Sequence, residues 1–218
     1  VEVKKAIKVE AAVAPIPDGA VLMIGGFMGV GSPHRVIDEL VRQKKQGLTV
    51  IANDTARPGL GIGKLIDARL CTRVIVSHIG TNPETQRLMI AGELTVDLVP
   101  QGTLIERIRA GGYGLGGVLT PTGVGTIAAE GKQTVEVDGR IFLLEKPLRA
   151  DYALVKAKDS DYLGNLNYSL TAHNFNPVIA MAADTVIACA EHIVPVGVLA
   201  PDHVVTPAPI VNYLVANA

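Results

Sequence analysis

Short apolar runs alternate with amphipathic segments along the first half of the chain. Four of these runs lie at 20–24, 48–54, 73–77 and 94–99. Their length and apolar character are typical of strands that are buried on both faces, as in a parallel sheet. The segment after the first run has helical spacing, since one of its faces carries Val36, Ile37, Leu40 and Val41. The order of strand, helix and strand predicts a βαβ unit.

Residues with strong positional preferences mark the ends of this first helix. Ser32 is a favoured N-cap residue, Pro33 suits the first helical turn, and Gly47 suits the position just after a helix. We therefore expect the helix to be capped by Ser32 and to stop at Gly47.

Capping residues predict two further helices. Asn82 is placed to cap a helix that begins at Pro83. Thr103 and Glu106 have the spacing of a capping box and predict a short helix that ends at Gly111. Strands and helices therefore alternate, which indicates a three-layer α/β protein.

The composition changes in the second half of the chain. Residues 111–126 form a long stretch rich in glycine and threonine, and residues 133–145 predict a hairpin that turns at Asp138 and Gly139. The further predicted elements are a strand at 153–156, a helix over 177–183 and a strand at 185–189. We expect one domain over residues 1–218. It should be an open, mostly parallel sheet with helices on both faces plus a β-hairpin.

Charge and composition argue against two classes of partner. The 20 Lys and Arg residues balance 21 Asp and Glu residues, so no basic surface is expected for nucleic acid or for an anionic membrane. With five Tyr, three Phe and no Trp, the chain has few side chains on which bases could stack. No stretch approaches the ~18 consecutive apolar residues of a membrane-spanning helix.

Cysteine usage and the first residues favour a cytoplasmic protein. Cys71 and Cys189 are far apart and form no CxxC pair, so we expect both to be reduced core residues. Residues 1–10 alternate charged and apolar side chains and lack the apolar core of a signal peptide.

A glycine-rich loop follows the first predicted strand. Residues 18–33 are D-G-A-V-L-M-I-G-G-F-M-G-V-G-S-P. The loop lies at the carboxyl end of a strand and before a helix, where α/β proteins bind ligands. Glycines let backbone N–H groups approach an anion, and the helix dipole favours negative charge there. The loop could therefore hold a phosphate or a pantetheine group. The alternative is a tight turn packed against a neighbouring helix.

Polar residues close the other predicted strands. Asn53 and Asp54 follow the second strand, Ser77 and His78 the third, and Gln101 the fourth. In a parallel sheet these ends share one edge and would converge on one cleft. The alternative is that each side chain caps the following helix.

A dinucleotide-binding site is the rival interpretation of these features. Gly112, Gly114 and Gly117 match the spacing G-x-G-x-x-G, but they follow a predicted helix instead of a strand. Asp54 stands where such a fold has its ribose-binding acid. A P-loop is excluded, because no G-K-[ST] sequence occurs.

No convincing nucleophile is visible in the chain. The sequence contains no G-x-S-x-G, and its five histidines lack the spacing of metal ligands. We therefore expect no catalytic nucleophile and no metal site in this chain.

Several motifs together resemble the A subunits of family I coenzyme A-transferases, which act on acetate and 3-oxoacids. They are the loop with G-G-F-x-x-x-G-x-P, then I-A-N-D-T, S-H-I-G-T-N-P, P-Q-G-T-L-I-E-R-I-R-A-G-G, L-T-P-T-G-V-G-T, L-L-E-K-P-L-R-A-D, G-N-L, N-F-N-P and V-T-P. The resemblance covers nearly the whole chain from about Pro15. It implies transfer of CoA between a short-chain acyl-CoA (acetoacetyl-, butyryl- or succinyl-CoA) and a carboxylate such as acetate.

The resemblance also implies a division of labour between two subunits. In the family, a glutamate in an S-E-N-G motif of the B subunit forms an acyl anhydride and then a glutamyl-CoA thioester. This chain has no S-E-N-G. The resemblance therefore implies that a B subunit is the partner of this chain, in an α2β2 heterotetramer. No cofactor would be bound permanently, since coenzyme A is a substrate that becomes covalently attached to the partner.

The resemblance assigns site residues in this chain. Residues near CoA would be Gly25, Gly26, Phe27, Met28, Gly29, Val30 and Gly31. The glycines would leave room for the pantetheine arm. Asn53 and Gln101 would donate hydrogen bonds to the substrate carboxylate or the reacting glutamate, and Asp54 would contact substrate where some relatives carry Asn. Residues 111–126 are a candidate contact with the B subunit, and the alternative is a buried loop. The alternatives are a dinucleotide-binding oxidoreductase domain and a non-catalytic α/β regulator.

Overall fold

Within residues 6–216, which the computed structural model describes, the chain forms two sheets and six α-helices. The strands are β1 (Val21–Ile24), β2 (Leu48–Ile51), β3 (Cys71–Val76), β4 (Thr95–Leu98), β5 (Val118–Thr120), β6 (Thr134–Val137), β7 (Arg140–Glu145), β8 (Ala150–Asp161), β9 (Ala183–Val194) and β10 (Tyr213–Ala216). The helices are α1 (Val9–Val13), α2 (His34–Arg42), α3 (Gly63–Asp67), α4 (Pro83–Ile90), α5 (Gln101–Gly112) and α6 (Asn176–Met181). The pattern predicted for residues 1–5 lies outside the described residues.

The larger sheet is parallel and has helices on both of its faces. Its strand order is β10-β9-β8-β1-β2-β3-β4. Because side chains alternate along a strand, Leu22 and Ile24 pack with helices α1 to α4, while Met23 packs with α5 and α6. The predicted three-layer α/β architecture is confirmed.

The order in which strands are added to the sheet reverses at β1. From β1 it proceeds outward through β2 and β3 to β4, and it later returns to place β8 on the other side of β1. Open α/β sheets bind ligands at the carboxyl ends of strands beside such a reversal. The loops after β1 and β2 occupy this position.

The smaller sheet contains the predicted hairpin. Its antiparallel order is β5-β7-β6, and β6 and β7 are joined at Asp138 and Gly139. Both turn residues have positive φ, 50° and 74°, as expected for a two-residue hairpin turn. Strand β5 (Val118–Thr120) had no counterpart in the sequence prediction. It lies in the glycine-rich stretch and owes its conformation to pairing with β7.

Both ends predicted for the first helix are wrong. Pro33 is the N-cap of α2 and provides no side-chain hydrogen bond, while Ser32 is buried beside the glycine loop. The helix ends at Arg42, and the chain turns through Lys44, whose φ is 55°, before it reaches Gly47. Contacts with the loop therefore override the local capping preference of Ser32.

The capping box predicted for helix α5 is also wrong, whereas the Asn82 cap of α4 is confirmed. Helix α5 begins at Gln101, directly after the N-cap residue Pro100, so Thr103 lies inside its first turn. Only Val99 and Pro100 connect β4 to this helix. The Asn82 side chain accepts a hydrogen bond from the Thr85 N–H at the start of α4.

Strands β8 and β9 are each 12 residues long and extend well beyond the predicted segments. They pair in parallel from Ala150 and Ala183 to Asp161 and Val194, so the polar second half of each strand is hydrogen-bonded to the other strand. Among the described residues, no helix combines the length and the apolar character needed to cross a bilayer.

Candidate functional site

The glycine loop forms a tight turn above the end of β1. Phe27 and Val30 exchange two backbone hydrogen bonds of 2.9 Å, and the residues between them, Met28 and Gly29, have positive φ. The turn directs Phe27 and Val30 outward, with 47% and 50% of their surface exposed. They form a short apolar ridge at the carboxyl edge of the sheet.

Most backbone N–H groups of the loop donate to acceptors within the protein. The Gly25 N–H donates to the Leu154 carbonyl, the Gly26 N–H to Asn174 Oδ1 and the Met28 N–H to Asp54 Oδ2. These groups hold the loop in place and are not free to bind an anion. These three N–H groups therefore take no part in the expected anion cradle, and contact between the loop and CoA stays a prediction.

Packing explains why the loop contains glycines. A Cβ on Gly25 would lie 1.9 Å from Asn176 Oδ1, and a Cβ on Gly26 would lie 2.0 Å from Ser32 Oγ. Similar collisions meet Gly29 and Gly31. The glycines thus allow close contact with neighbouring protein atoms, as the tight-turn alternative requires.

Two asparagines that sequence reasoning did not assign hold this loop. Asn174 accepts from the Gly26 N–H and donates to the Val30 carbonyl, while Asn176 Nδ2 donates to the Gly31 carbonyl at 2.9 Å. Both lie in N-F-N-P, which the resemblance included without a role. The sequence offers no indication of partners more than 140 residues away.

The polar strand ends converge as expected. Gln101 Nε2 donates to Asn53 Oδ1 at 2.7 Å, and Asn53 Nδ2 donates to Asp54 Oδ2 at 2.7 Å. Ser77 Oγ donates to the Asn53 carbonyl at 2.7 Å, whereas His78 lies exposed at this edge. Asn53 and Gln101 do not cap helices with their side chains, so the capping alternative does not explain them. Their role toward substrate stays a prediction.

Asp54 is an anchor inside the protein. It is 3% exposed, and its carboxylate accepts from Asn53 Nδ2, the Met28 N–H and the Ala56 N–H at 2.7 to 2.9 Å. A carboxylate only accepts, so Asn53 must direct Nδ2 to Asp54 and Oδ1 to Gln101. Asp54 therefore sets the orientation of both amides. This geometry supports neither direct contact with substrate nor the ribose-binding role of the rival interpretation.

Neither cysteine is an activated nucleophile. Burial raises the pKa of the Cys71 thiol to about 12, and burial also raises the pKa of Cys189. The reactive thiolate is scarce at neutral pH in both cases. Both residues are buried, and neither forms a disulfide within the described part of the chain.

Comparisons with known proteins connect this geometry to a family. The model of the coenzyme A transferase family matches residues 6–217. The acetate CoA-transferase subunit alpha of Escherichia coli strain K12 is 56% identical, over 92% of this chain and 91% of that protein. The acetoacetyl-CoA:acetate/butyrate CoA transferase alpha subunit of Clostridium acetobutylicum is 50% identical, over 91% of each chain.

A solved structure shows the same fold. An acyl-CoA transferase from Escherichia coli O157:H7, in a thioester complex with CoA, superimposes with a TM-score of 0.88 at 23% identity. The match covers 99% of this chain and 47% of the other, so this chain spans about half of that enzyme's length. Since the family model covers nearly the whole chain and both relatives share half or more of the aligned residues, the chain belongs to the coenzyme A transferase family.

Proposed function

We propose that this chain is the A subunit of a two-subunit enzyme that moves CoA between a short-chain acyl-CoA and a carboxylate such as acetate. The observation that carries the proposal is the polar chain from Gln101 through Asn53 to Asp54, at the sheet edge where α/β proteins bind ligands. Neither Cys71 nor Cys189 is an activated nucleophile, because burial raises the pKa of both thiols. The names of the similar alpha subunits support the same substrates.

The missing nucleophile is supplied by a glutamate of a B subunit. Its carboxylate attacks the thioester carbonyl, and the C–S bond breaks to give an acyl-glutamyl anhydride and CoA thiolate. The thiolate then attacks the glutamyl carbonyl and expels the first carboxylate, which leaves a glutamyl-CoA thioester. An incoming carboxylate reverses these steps, so the thioester free energy is kept throughout.

Gln101 is the group of this chain that faces the reacting atoms. It is exposed at the start of α5, and only one of the two hydrogens on Nε2 is needed for Asn53. The other hydrogen can bind an oxygen that gains negative charge in the transition state. Such a donor, held in position beforehand, contributes about 3 kcal/mol. Asn53 keeps the Gln101 amide in this orientation.

The assembly is an α2β2 heterotetramer that acts in the cytoplasm, with this chain as one domain. Exposed apolar side chains in the 111–126 stretch, among them Tyr113 and Leu115, support that stretch as the contact with the B subunit. The two buried cysteines without a disulfide support a reducing compartment. Coenzyme A is bound only as substrate and as the covalent intermediate.

The proposal is tested by intact-mass spectrometry of the native complex after incubation with acetoacetyl-CoA. We expect a co-purifying second chain to gain the mass of CoA while this chain stays unmodified. An adduct on this chain would place the nucleophile among its own carboxylates and would overturn the assignment of roles.

A further inference from the structure

A cavity of about 440 Å³ opens beside the first turns of α5. One wall is formed by Gly102, Thr103 and Glu106 of the helix, and the opposite wall by Val118, Leu119 and Thr120 of β5. The cavity therefore combines hydroxyl groups with apolar side chains. It begins one residue after Gln101, and the glycine- and threonine-rich stretch provides its far wall.

The N-terminus of α5 has no side-chain cap. Its N-cap residue is Pro100, which has no side-chain acceptor, and the first intrahelical bond is donated by the Leu104 N–H. Helix geometry leaves the N–H groups of residues 101–103 without an intrahelical acceptor. In a helix of 12 residues these groups and the helix dipole favour an anion.

The Thr103 hydroxyl is a second and independent indication of a ligand. Thr103 is 4% exposed, and its Oγ1 is the one buried side-chain oxygen or nitrogen within residues 6–216 that has no hydrogen-bond partner. Buried hydroxyl groups in folded proteins nearly always have a partner, because leaving one unpaired is unfavourable. Thr103 lines the adjoining cavity, and a ligand oxygen there would provide the partner once the Thr103 side chain turns its buried Oγ1 toward the cavity.

We propose that this cavity binds the carboxylic acid substrate. The carboxylate accepts from the uncapped amides of α5 and from the Thr103 hydroxyl, and the short carbon chain lies against Val118 and Leu119. The Thr120 oxygen already accepts from the Thr122 N–H, so its hydrogen is available to a polar group on the chain. This inference rests on the proposed function and places the acid beside Gln101.

One charge opposes the bound acid. Glu106 lines the same cavity, and its carboxylate is paired with Arg109 at 3.0 Å. Both side chains are about half exposed, so solvent and Arg109 screen the repulsion only in part. Removing the Glu106 charge should therefore strengthen binding of the acid, which gives the proposal a test with the opposite sign.

The first test is Thr103→Val in the assembled complex with its B subunit. Valine keeps the shape and removes only a hydroxyl that has no partner in the free protein, so the melting temperature should not fall. The KM for acetate should rise about tenfold or more, because hydrogen bonds to charged groups are strong. The KM for acyl-CoA should change less than about threefold, since most of its contacts involve the CoA part. Thr95→Val, at an exposed position of β4, is the matched control.

The second test is Glu106→Gln, which should lower the KM for acetate about two- to threefold. An unchanged acetate KM in a folded Thr103→Val complex would overturn the inference. If that variant does not assemble, an unchanged or higher acetate KM in Glu106→Gln would do so. A wild-type complex with no CoA-transferase activity would instead overturn the proposed function.

Discussion

The two glycine-rich segments of the chain, residues 25–31 and 111–126, look alike in sequence but differ in how much of each is packed against the protein. In the first, added Cβ atoms would collide with neighbouring protein atoms at distances of 1.9 to 2.9 Å. In the second, a Cβ added to Gly111, Gly112 or Gly117 would also collide, at 1.9 to 2.8 Å, but a Cβ added to Gly114, Gly116 or Gly125 would meet no atom within 4 Å. Ile127, just beyond the segment, is 86% exposed. One segment is packed inside the chain, and much of the other faces outward.

This difference changes where an anion is expected to bind. In the first segment the Gly25, Gly26 and Met28 N–H groups donate to Leu154, Asn174 and Asp54, so these three amides are not available to an anion. The second segment lies against the uncapped N-terminus of α5, where N–H groups are available. Glycine content alone therefore does not identify a phosphate or carboxylate site. Whether such a loop can bind an anion depends on whether its backbone N–H groups already donate to acceptors within the protein.

The largest effect is expected for Gly25→Ala. Its Cβ would overlap with Asn176, which bonds to Lys156, Gly31 and Ala172. Steric strain and broken buried hydrogen bonds should together cost about 3 kcal/mol or more. The check is the free energy of unfolding in urea. A stability within about 0.5 kcal/mol of wild type would show that the first segment is not packed as described.

Gln101→Ala should lower kcat by about ten- to a thousandfold, the range for loss of one transition-state donor. The buried Asn53 Oδ1 loses its donor, so the free energy of unfolding should also fall, by about 1 kcal/mol. Steady-state kinetics of the assembled complex provide the measurement. If only the KM for acyl-CoA rises, Gln101 binds substrate and does not act in the chemical step.

Asp54→Asn tests the connection between the first segment and Gln101. One carboxylate oxygen becomes a donor that faces the Ala56 N–H or the Asn53 and Met28 N–H groups. The Asn53 and Gln101 amides then lose their fixed orientation. We expect kcat to fall about two- to tenfold with the KM for acyl-CoA unchanged. A change in KM alone would return Asp54 to the substrate-contacting role suggested by the sequence.

The smallest effect is expected for Gly116→Ala. This glycine has open space around it and no positive φ. Alanine should raise stability by about 0.4–1 kcal/mol, because it restricts the unfolded chain. Paired urea titrations with Gly25→Ala would measure the contrast directly. A loss above about 2 kcal/mol at Gly116 would remove the distinction between the two segments.

The sequence by itself determined the layers, the parallel sheet and the family. Apolar runs buried on both faces and helical stripes such as Val36, Ile37 and Leu40 depend on local periodicity, which survives without knowledge of contacts. The turn at Asp138 and Gly139 was equally predictable, since few residues adopt two successive positive φ values. Motifs in a fixed order carried the resemblance.

The tertiary structure alone decided what the polar and glycine residues do. Ser32 and Thr103 are residue types that favour helix N-caps, but Ser32 lies against the glycine loop and Thr103 lies inside the first turn of α5. Asp54 became an anchor because the Met28 N–H, in the loop after β1, donates to its carboxylate from 26 residues away. Hydrogen-bond partners distant in sequence leave no local pattern, so no spacing rule could have revealed them.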